Sequence, residues 1–268
     1  MHTESLAIKS NYSLINILKS AGKSILDIYA TDFSVFQKDD MSPLTLADKQ
    51  SHEILADYLQ KHYPFPVLSE EGRNIPYPER QQWKNFWLVD PLDGTKEFVK
   101  KNGEFTINVA LVHEGKPVIG IIYVPLTDTL YYASTGQGAY KVKDGKTERL
   151  PLVHRSGKLT VVGSRSHASK EFDAFVRTIQ EKHGEVDVVS AGSALKFCLV
   201  AEGLADMYPR LGPTMEWDTA AGQVIVEEAG GSVVEAEGGR PLRYNKELLT
   251  NPNFIVLRGK GHGQPGNN

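Results

Sequence analysis

Apolar residues recur every three to four positions between residues 11 and 30, where Leu14, Ile15, Leu18, Ala21, Ile25, Leu26 and Ile28 mark one face of an amphipathic helix. A second helix is predicted from about Thr45 to His62, after Pro43, with Ile54, Leu55 and Leu59 facing inward. Residues 38–42 between them read as a polar connector. The period then shortens to that of strands, at 67–69, 86–89, 105–112, 118–124, 129–133 and 139–143, with hairpin signals at 114–117 and 136–138. Beyond about residue 150 strands and helices alternate. Strands are expected at 159–163, 186–189 and 205–208, helices near 168–183, 193–203 and 217–229, and closing strands at 233–234 and 254–257. The pattern predicts an N-terminal α+β subdomain over 1–150 with a large antiparallel sheet and an α/β subdomain over 151–258. The Gly-rich, polar segment 259–268 reads as a disordered tail.

With 268 residues and 40% hydrophobic content, the chain can bury a substantial core as one large domain or two closely packed subdomains. A net charge of −3 and the lack of any dense Lys/Arg cluster argue against binding nucleic-acid polymers. A small anionic ligand needs only a few cations and stays open. The single cysteine, Cys198, excludes an intramolecular disulfide and suits a reducing cytosol. It lies in the apolar run Phe197-Cys198-Leu199-Val200, so it reads as packing. Residues 1–10 carry no signal-peptide pattern and no run of 18 apolar residues occurs, so no integral membrane segment is expected. The expectation is a cytoplasmic protein, with peripheral contact at the inner membrane left open.

The candidate chemistry starts at Trp87-Leu88-Val89-Asp90-Pro91-Leu92-Asp93-Gly94-Thr95, an apolar strand that ends in two carboxylates three residues apart. Pro91 and Gly94 force a turn, and Thr95 can cap the next element. Converging carboxylates with a backbone carbonyl from Leu92 offer the oxygen ligands that Mg²⁺ prefers. Taken alone, two aspartates three residues apart read more readily as a solvated acidic turn. Two further acidic ends strengthen the metal reading. Ser69-Glu70-Glu71 closes another short apolar strand, and Asp218 sits in Trp217-Asp218-Thr219-Ala220-Ala221-Gly222 at a helix start, where capping explains it equally well when it is viewed alone. Gathered carboxylates repel unless a cation lies between them.

Together these motifs resemble the inositol monophosphatase superfamily, and within it the bacterial 3'(2'),5'-bisphosphate nucleotidases. The likeness extends over 88–108, Ser164-Arg165-Ser166-His167, 192–203 and 208–213, and spans about residues 10–257. The resemblance implies an alternating α-β-α-β-α layered sandwich with the active site between its halves. It also implies Mg²⁺, two ions or three. Glu70, Asp90 and the Leu92 carbonyl would hold the first, and Asp90, Asp93 and Asp218 the second. Asp48 and Thr95 would position the attacking water, with Glu70 part of the catalytic group and Glu71 less certain.

For the substrate, the resemblance implies Gly94, Thr95, Ser164, His167, Gly192, Ser193, Lys196 and Arg210. Gly192 and Ser193 would offer amides at a helix start. Each of these also reads as a turn, cap or solvated charge. The implied reaction is hydrolysis of adenosine 3',5'-bisphosphate to AMP and phosphate, with its sulfated relative PAPS as a further substrate. That places the enzyme in sulfate assimilation, with sensitivity to lithium, acting on a small molecule as a monomer or homodimer. The competing readings are inositol-1-phosphate hydrolysis on the same metal chemistry, fructose 1,6-bisphosphate more remotely, and a non-catalytic nucleotide sensor.

Overall fold

The computed structural model describes residues 12–32, 42–153, 157–166 and 169–259. His167, most of the 38–42 connector and all of the tail except Gly259 lie outside them. The helices are α1 (Tyr12–Tyr29), α2 (Pro43–His62), α3 (Tyr77–Arg80), α4 (Thr95–Val99), α5 (Lys170–His183), α6 (Leu195–Glu202) and α7 (Glu216–Glu228). Seven strands form one sheet in sequence order: β1 (Val67–Ser69), β2 (Asn85–Asp93), β3 (Thr106–His113), β4 (Lys116–Val124), β5 (Thr129–Ser134), β6 (Gly138–Lys143) and β7 (Lys146–Arg149). A second sheet holds β8 (Leu159–Ser164), β9 (Val186–Ala191), β10 (Met207–Arg210), β11 (Ser232–Glu235) and β12 (Phe254–Leu257), in the order β11-β12-β10-β8-β9.

The first sheet departs from the expected antiparallel pattern at one edge, where β1 runs parallel to β2. β7 gave no apolar signal because all four of its residues are exposed at the opposite edge. α3 and α4 are too short to show a helical period.

Strand alternation sends successive side chains of the first sheet into two different cores. Trp87, Val89, Val109, Leu111, Ile119 and Ile121 pack with Leu14, Leu18, Ile25, Leu55 and Leu59 of α1 and α2. Phe86, Leu88, Ala110, Val112 and Ile122 face the other way, against α6, α7 and the inner side of the second sheet. Val176 and Ile179 of α5 cover that sheet's outer side against Val161 and Val186. The layers therefore read helix, sheet, helix, sheet, helix. Each fully buried leucine, such as Leu18 or Leu55, contributes about 2 kcal/mol of transfer free energy.

α7 is the central layer's main element. It belongs late in the sequence yet packs on β3, β4, β5 and β6 of the first sheet as well as on β11 and α6. The approach is close enough to require glycine at 120, where a Cβ would stand 2.3 Å from the Ala221 carbonyl oxygen.

Candidate active site

The acidic side of the site is built by strand register. β1 and β2 pair in parallel with Leu68 opposite Leu88 and Ser69 opposite Val89, so the next residues, Glu70 and Asp90, leave the sheet side by side. The Glu70 amide donates to the Val89 carbonyl at 3.1 Å and extends the pairing. Along β2, Asp90 pairs with Asn108 and Asp93 with Thr106, so three steps on β2 match two on β3. In an unbroken strand, positions three apart face opposite sides. The bulge supplies the extra residue that turns both aspartates to the same side. Pro91, which has no N–H to lose, sits in that irregular stretch with Leu92. Ser51 Oγ on α2 donates to the Pro91 carbonyl at 2.8 Å, and the Leu92 amide donates to Asp90 Oδ1 at 3.1 Å.

Asp218 arrives from α7, where it is the third helical residue and accepts the Met215 amide at 2.8 Å. Capping and ligand placement are therefore compatible, because a carboxylate has two oxygens. Glu70, Asp90 and Asp218 each bring an oxygen within 4.8 Å of the others. Asp93 is not part of that trio, but it is the first charge that disturbs each of its members. It accepts Asn108 Nδ2 at 3.3 Å.

The electrostatics show carboxylates held together with only partial compensation. Burial, then the charges of Asp93, Glu70, Asp218 and Asp48, push the Asp90 carboxyl well above the carboxylate range. Burial, then Asp93, lifts Asp218 to about 7, and burial, then Asp93 and Glu71, lifts Glu70 to about 6. Asp48 on α2 is raised to about 8 by burial and then by Glu71 and Glu70. Asp93 is also raised by burial, opposed by Lys196, Asn108 and the Ala194 amide. An all-oxygen set in this state fits a hard divalent cation, whose charge would favour the ionised form of the carboxylates around it.

The opposite wall carries positive charge. A chamber of about 190 Å³ is lined by Asp93, Gly94, Thr95, Asp218 and Thr219 on one side and by Ser164, Ser193, Lys196, Tyr208 and Arg210 on the other. Lys196 is buried, donates to the Ser193 carbonyl at 2.6 Å and lies 5.3 Å from the Tyr208 ring centroid. Its ammonium is lowered to about 8 by burial, against the pull of Asp93. Ser193 Oγ and Arg210 Nε are buried with no hydrogen-bond partner. A second chamber of about 410 Å³ shares Ser164, Tyr208 and Arg210, and adds Ser166, Phe172, Leu211 and Pro213.

With this geometry established, the chain matches the inositol monophosphatase family model over residues 9–264. The chain belongs to that family. It is 43% identical over 244 residues to the 3'(2'),5'-bisphosphate nucleotidase CysQ of Escherichia coli strain K12, covering 90% of this chain and 96% of the relative. The CysQ nucleotidase of Aggregatibacter actinomycetemcomitans is 40% identical over 249 residues, with 91% and 90% covered. The crystal structure of CysQ from Bacteroides thetaiotaomicron superposes with a TM-score of 0.88 at 46% identity, covering 95% of this chain and 99% of that one. Enzymes of this family are metal-dependent phosphatases, and the layered fold is the one the family shares.

For a member of the inositol monophosphatase family, three local details differ from the sequence expectations. Gly192 does not offer its amide to an anion, because that N–H already donates to Glu104 Oε2 at 2.7 Å. α6 starts only at Leu195, capped by Ala194, and Ser193 takes a left-handed φ of 43° just before it. Thr95 is the first residue of α4 rather than its cap, which is Gly94 with φ 94°. His167 lies outside the described residues, so its substrate role gains no placement. Among residues the sequence reading missed, Asn108 left a signal as the one amide in the apolar run of β3. Ser51 and Glu104 left none, since their partners are 40 and 61 or more positions away.

Proposed function

We propose that this chain is a Mg²⁺-dependent 3'(2'),5'-bisphosphate nucleotidase that hydrolyses adenosine 3',5'-bisphosphate to AMP and inorganic phosphate, and PAPS alongside it. The observation that carries this reading is a chamber of about 190 Å³ in which Asp93 and Asp218, the latter clustered with Glu70 and Asp90, share the lining with a buried lysine, an arginine and an unpartnered serine hydroxyl. The chemical class of the site is phosphate monoester hydrolysis. The second chamber supports a nucleotide over an inositol ring, since Phe172, Tyr208, Leu211 and Pro213 supply apolar walls for a base.

Glu70, Asp90, Asp93 and Asp218, with the Leu92 carbonyl, would hold two Mg²⁺ ions, and Glu71 would serve a third. Bound there, the ions supply Lewis-acid stabilisation at both the attacking and the departing oxygen. Thr95 Oγ1 orients the water that attacks phosphorus, and the Asp48 carboxylate receives its proton. As the water oxygen bonds to phosphorus the P–O3' bond breaks, the ribose O3' takes a proton from solvent water, and the 5'-phosphate stays on the product. Ser164, Ser193, Lys196 and Arg210 hold the phosphate that the metals do not touch, by charge-assisted hydrogen bonds. Such an enzyme acts in the cytosol on a by-product of sulfate assimilation.

Phosphate release from adenosine 3',5'-bisphosphate, PAPS, inositol 1-phosphate and fructose 1,6-bisphosphate, with Mg²⁺ or a chelator, tests the reading. We expect kcat/KM for the bisphosphate nucleotide to exceed that for inositol 1-phosphate by at least about 100-fold. Turnover should vanish in chelator and fall at millimolar Li⁺. Faster release from inositol 1-phosphate would overturn the nucleotidase assignment in favour of a monophosphatase.

A further inference from the structure

Glu104, in the segment between α4 and β3, joins three elements across the mouth of the site. Its Oε2 accepts Arg165 Nε at 2.6 Å and the Gly192 amide at 2.7 Å, while Oε1 accepts the Arg165 terminal nitrogen at 2.7 Å. That same nitrogen donates to the Ser190 carbonyl at 2.8 Å. The backbones around this bridge meet closely. A Cβ on Gly192 would stand 2.8 Å from the Glu104 carbonyl oxygen, and one on Gly94 would stand 2.9 Å from the same atom and 3.1 Å from Ser193 Cβ. The bridge therefore locks the turn carrying Ser164 and Ser166, and the residue pair Gly192-Ser193, onto the turn carrying Gly94 and Thr95.

Arg165 is consumed by Glu104 and Ser190, so it serves as a strut and leaves Ser164 and Ser166 as the groups that turn presents. Ser193 holds a left-handed φ of 43° with its hydroxyl buried and unpartnered in the chamber wall. A non-glycine residue keeps such a conformation only where its surroundings over-determine it, and the amide immediately before it is fixed by Glu104. Burial opposes ionisation of Glu104, but Arg165 and the Gly192 amide outweigh it and hold the carboxyl below its ordinary range.

We infer that Glu104, with Arg165 as its counter-ion, is a positioning residue that sets Ser164 and Ser193 for the substrate phosphate that is not hydrolysed. The inference rests on the nucleotidase reading and deepens it. The test compares adenosine 3',5'-bisphosphate with adenosine 3'-monophosphate, which keeps the reacting group and lacks the second phosphate. In Glu104→Gln the amide retains shape and one acceptor but loses the charge. KM for the bisphosphate should rise roughly tenfold with kcat within about twofold, a small part of what misplacement by an ångström can cost. kcat/KM for the monophosphate should stay within about twofold. Arg165→Ala should reproduce the effect, Arg165→Lys should restore part of it, and the Glu104→Gln/Arg165→Ala double variant should lose no more than either single one. Equal losses on both substrates, or additive losses in the double variant, would overturn the positioning role and leave a merely structural bridge. A wild-type enzyme with no preference for the bisphosphate would instead overturn the nucleotidase reading, and this inference with it.

Discussion

The two sides of the site, the acidic wall formed by the carboxylate cluster with Asp93 and the cationic wall of the chamber beside it, are made in different ways. The acidic wall is fixed by regular backbone, with Glu70 and Asp90 set by parallel register, Asp93 by a one-residue bulge and Asp218 by a helix start. The cationic wall also draws Lys196, Arg210 and Ser164 from α6, β10 and β8, but it adds side-chain ties and one strained turn, through the Lys196 bond to the Ser193 carbonyl, the left-handed Ser193 and the Glu104 bridge. The difference teaches that the residues proposed to hold the metal are placed by backbone pairing, while those proposed to choose the substrate also depend on side-chain contacts that single substitutions can retune.

The sharpest break of this comparison is Asp90→Asn. Asp90 sits between Glu70, Asp93 and Asp218, so its loss should lower kcat at least about a thousandfold, or ~4 kcal/mol of barrier. Steady-state phosphate release at saturating Mg²⁺ reads it, and a variant within tenfold of wild type would remove Asp90 from the ion-holding set.

The second effect is on stability. Asp48, Glu70 and Asp218 stand at about 8, 6 and 7 in the folded chain, against an ordinary value of ~4 when unfolded. Between those limits the folded chain binds more protons than the unfolded one, so the contribution is full below about pH 4 and is lost as pH rises to about 8. Melting in chelator should show Tm falling across that window by roughly 5 °C. Millimolar Mg²⁺ should flatten the fall, and identical profiles in the two conditions would separate these carboxyls from the cation.

The smallest expected effect is that of Ser51→Ala, which removes one bond to the bulge at Pro91. About 1 kcal/mol of stability should go with it. kcat should drop severalfold with KM for the nucleotide unchanged, because only the acidic wall is disturbed. A rise in KM alone would show that the two walls are not independent.

Much of the fold was legible because its cores follow simple periods. The helix around Leu14 to Ile28 and the strands at 67–69 and 254–257 lie where the apolar spacing puts them. What stayed hidden had no period to show, as with the fully exposed β7 and the two short helices α3 and α4. In the site, contiguous motifs carried Asp90, Asp93, Glu70 and Asp218 into view, while the register and the bulge that make them converge leave no mark on any one motif. The error at Gly192 has a long-range origin. Its amide looked available because nothing local competes for it, and the competitor, Glu104, is 88 residues away.

The seat of α7 on the first sheet bears on synthesis of the chain. The face bearing Phe86, Leu88, Ala110 and Ile122 finds its cover only when residues up to about Glu228 have left the ribosome. Until then a seven-stranded nascent layer shows a bare oily side to water, the kind of surface that invites chaperones. The last carboxylate of the cluster, Asp218, and the cover of that core thus emerge on the same helix, so the acidic site is complete only once the interior has closed.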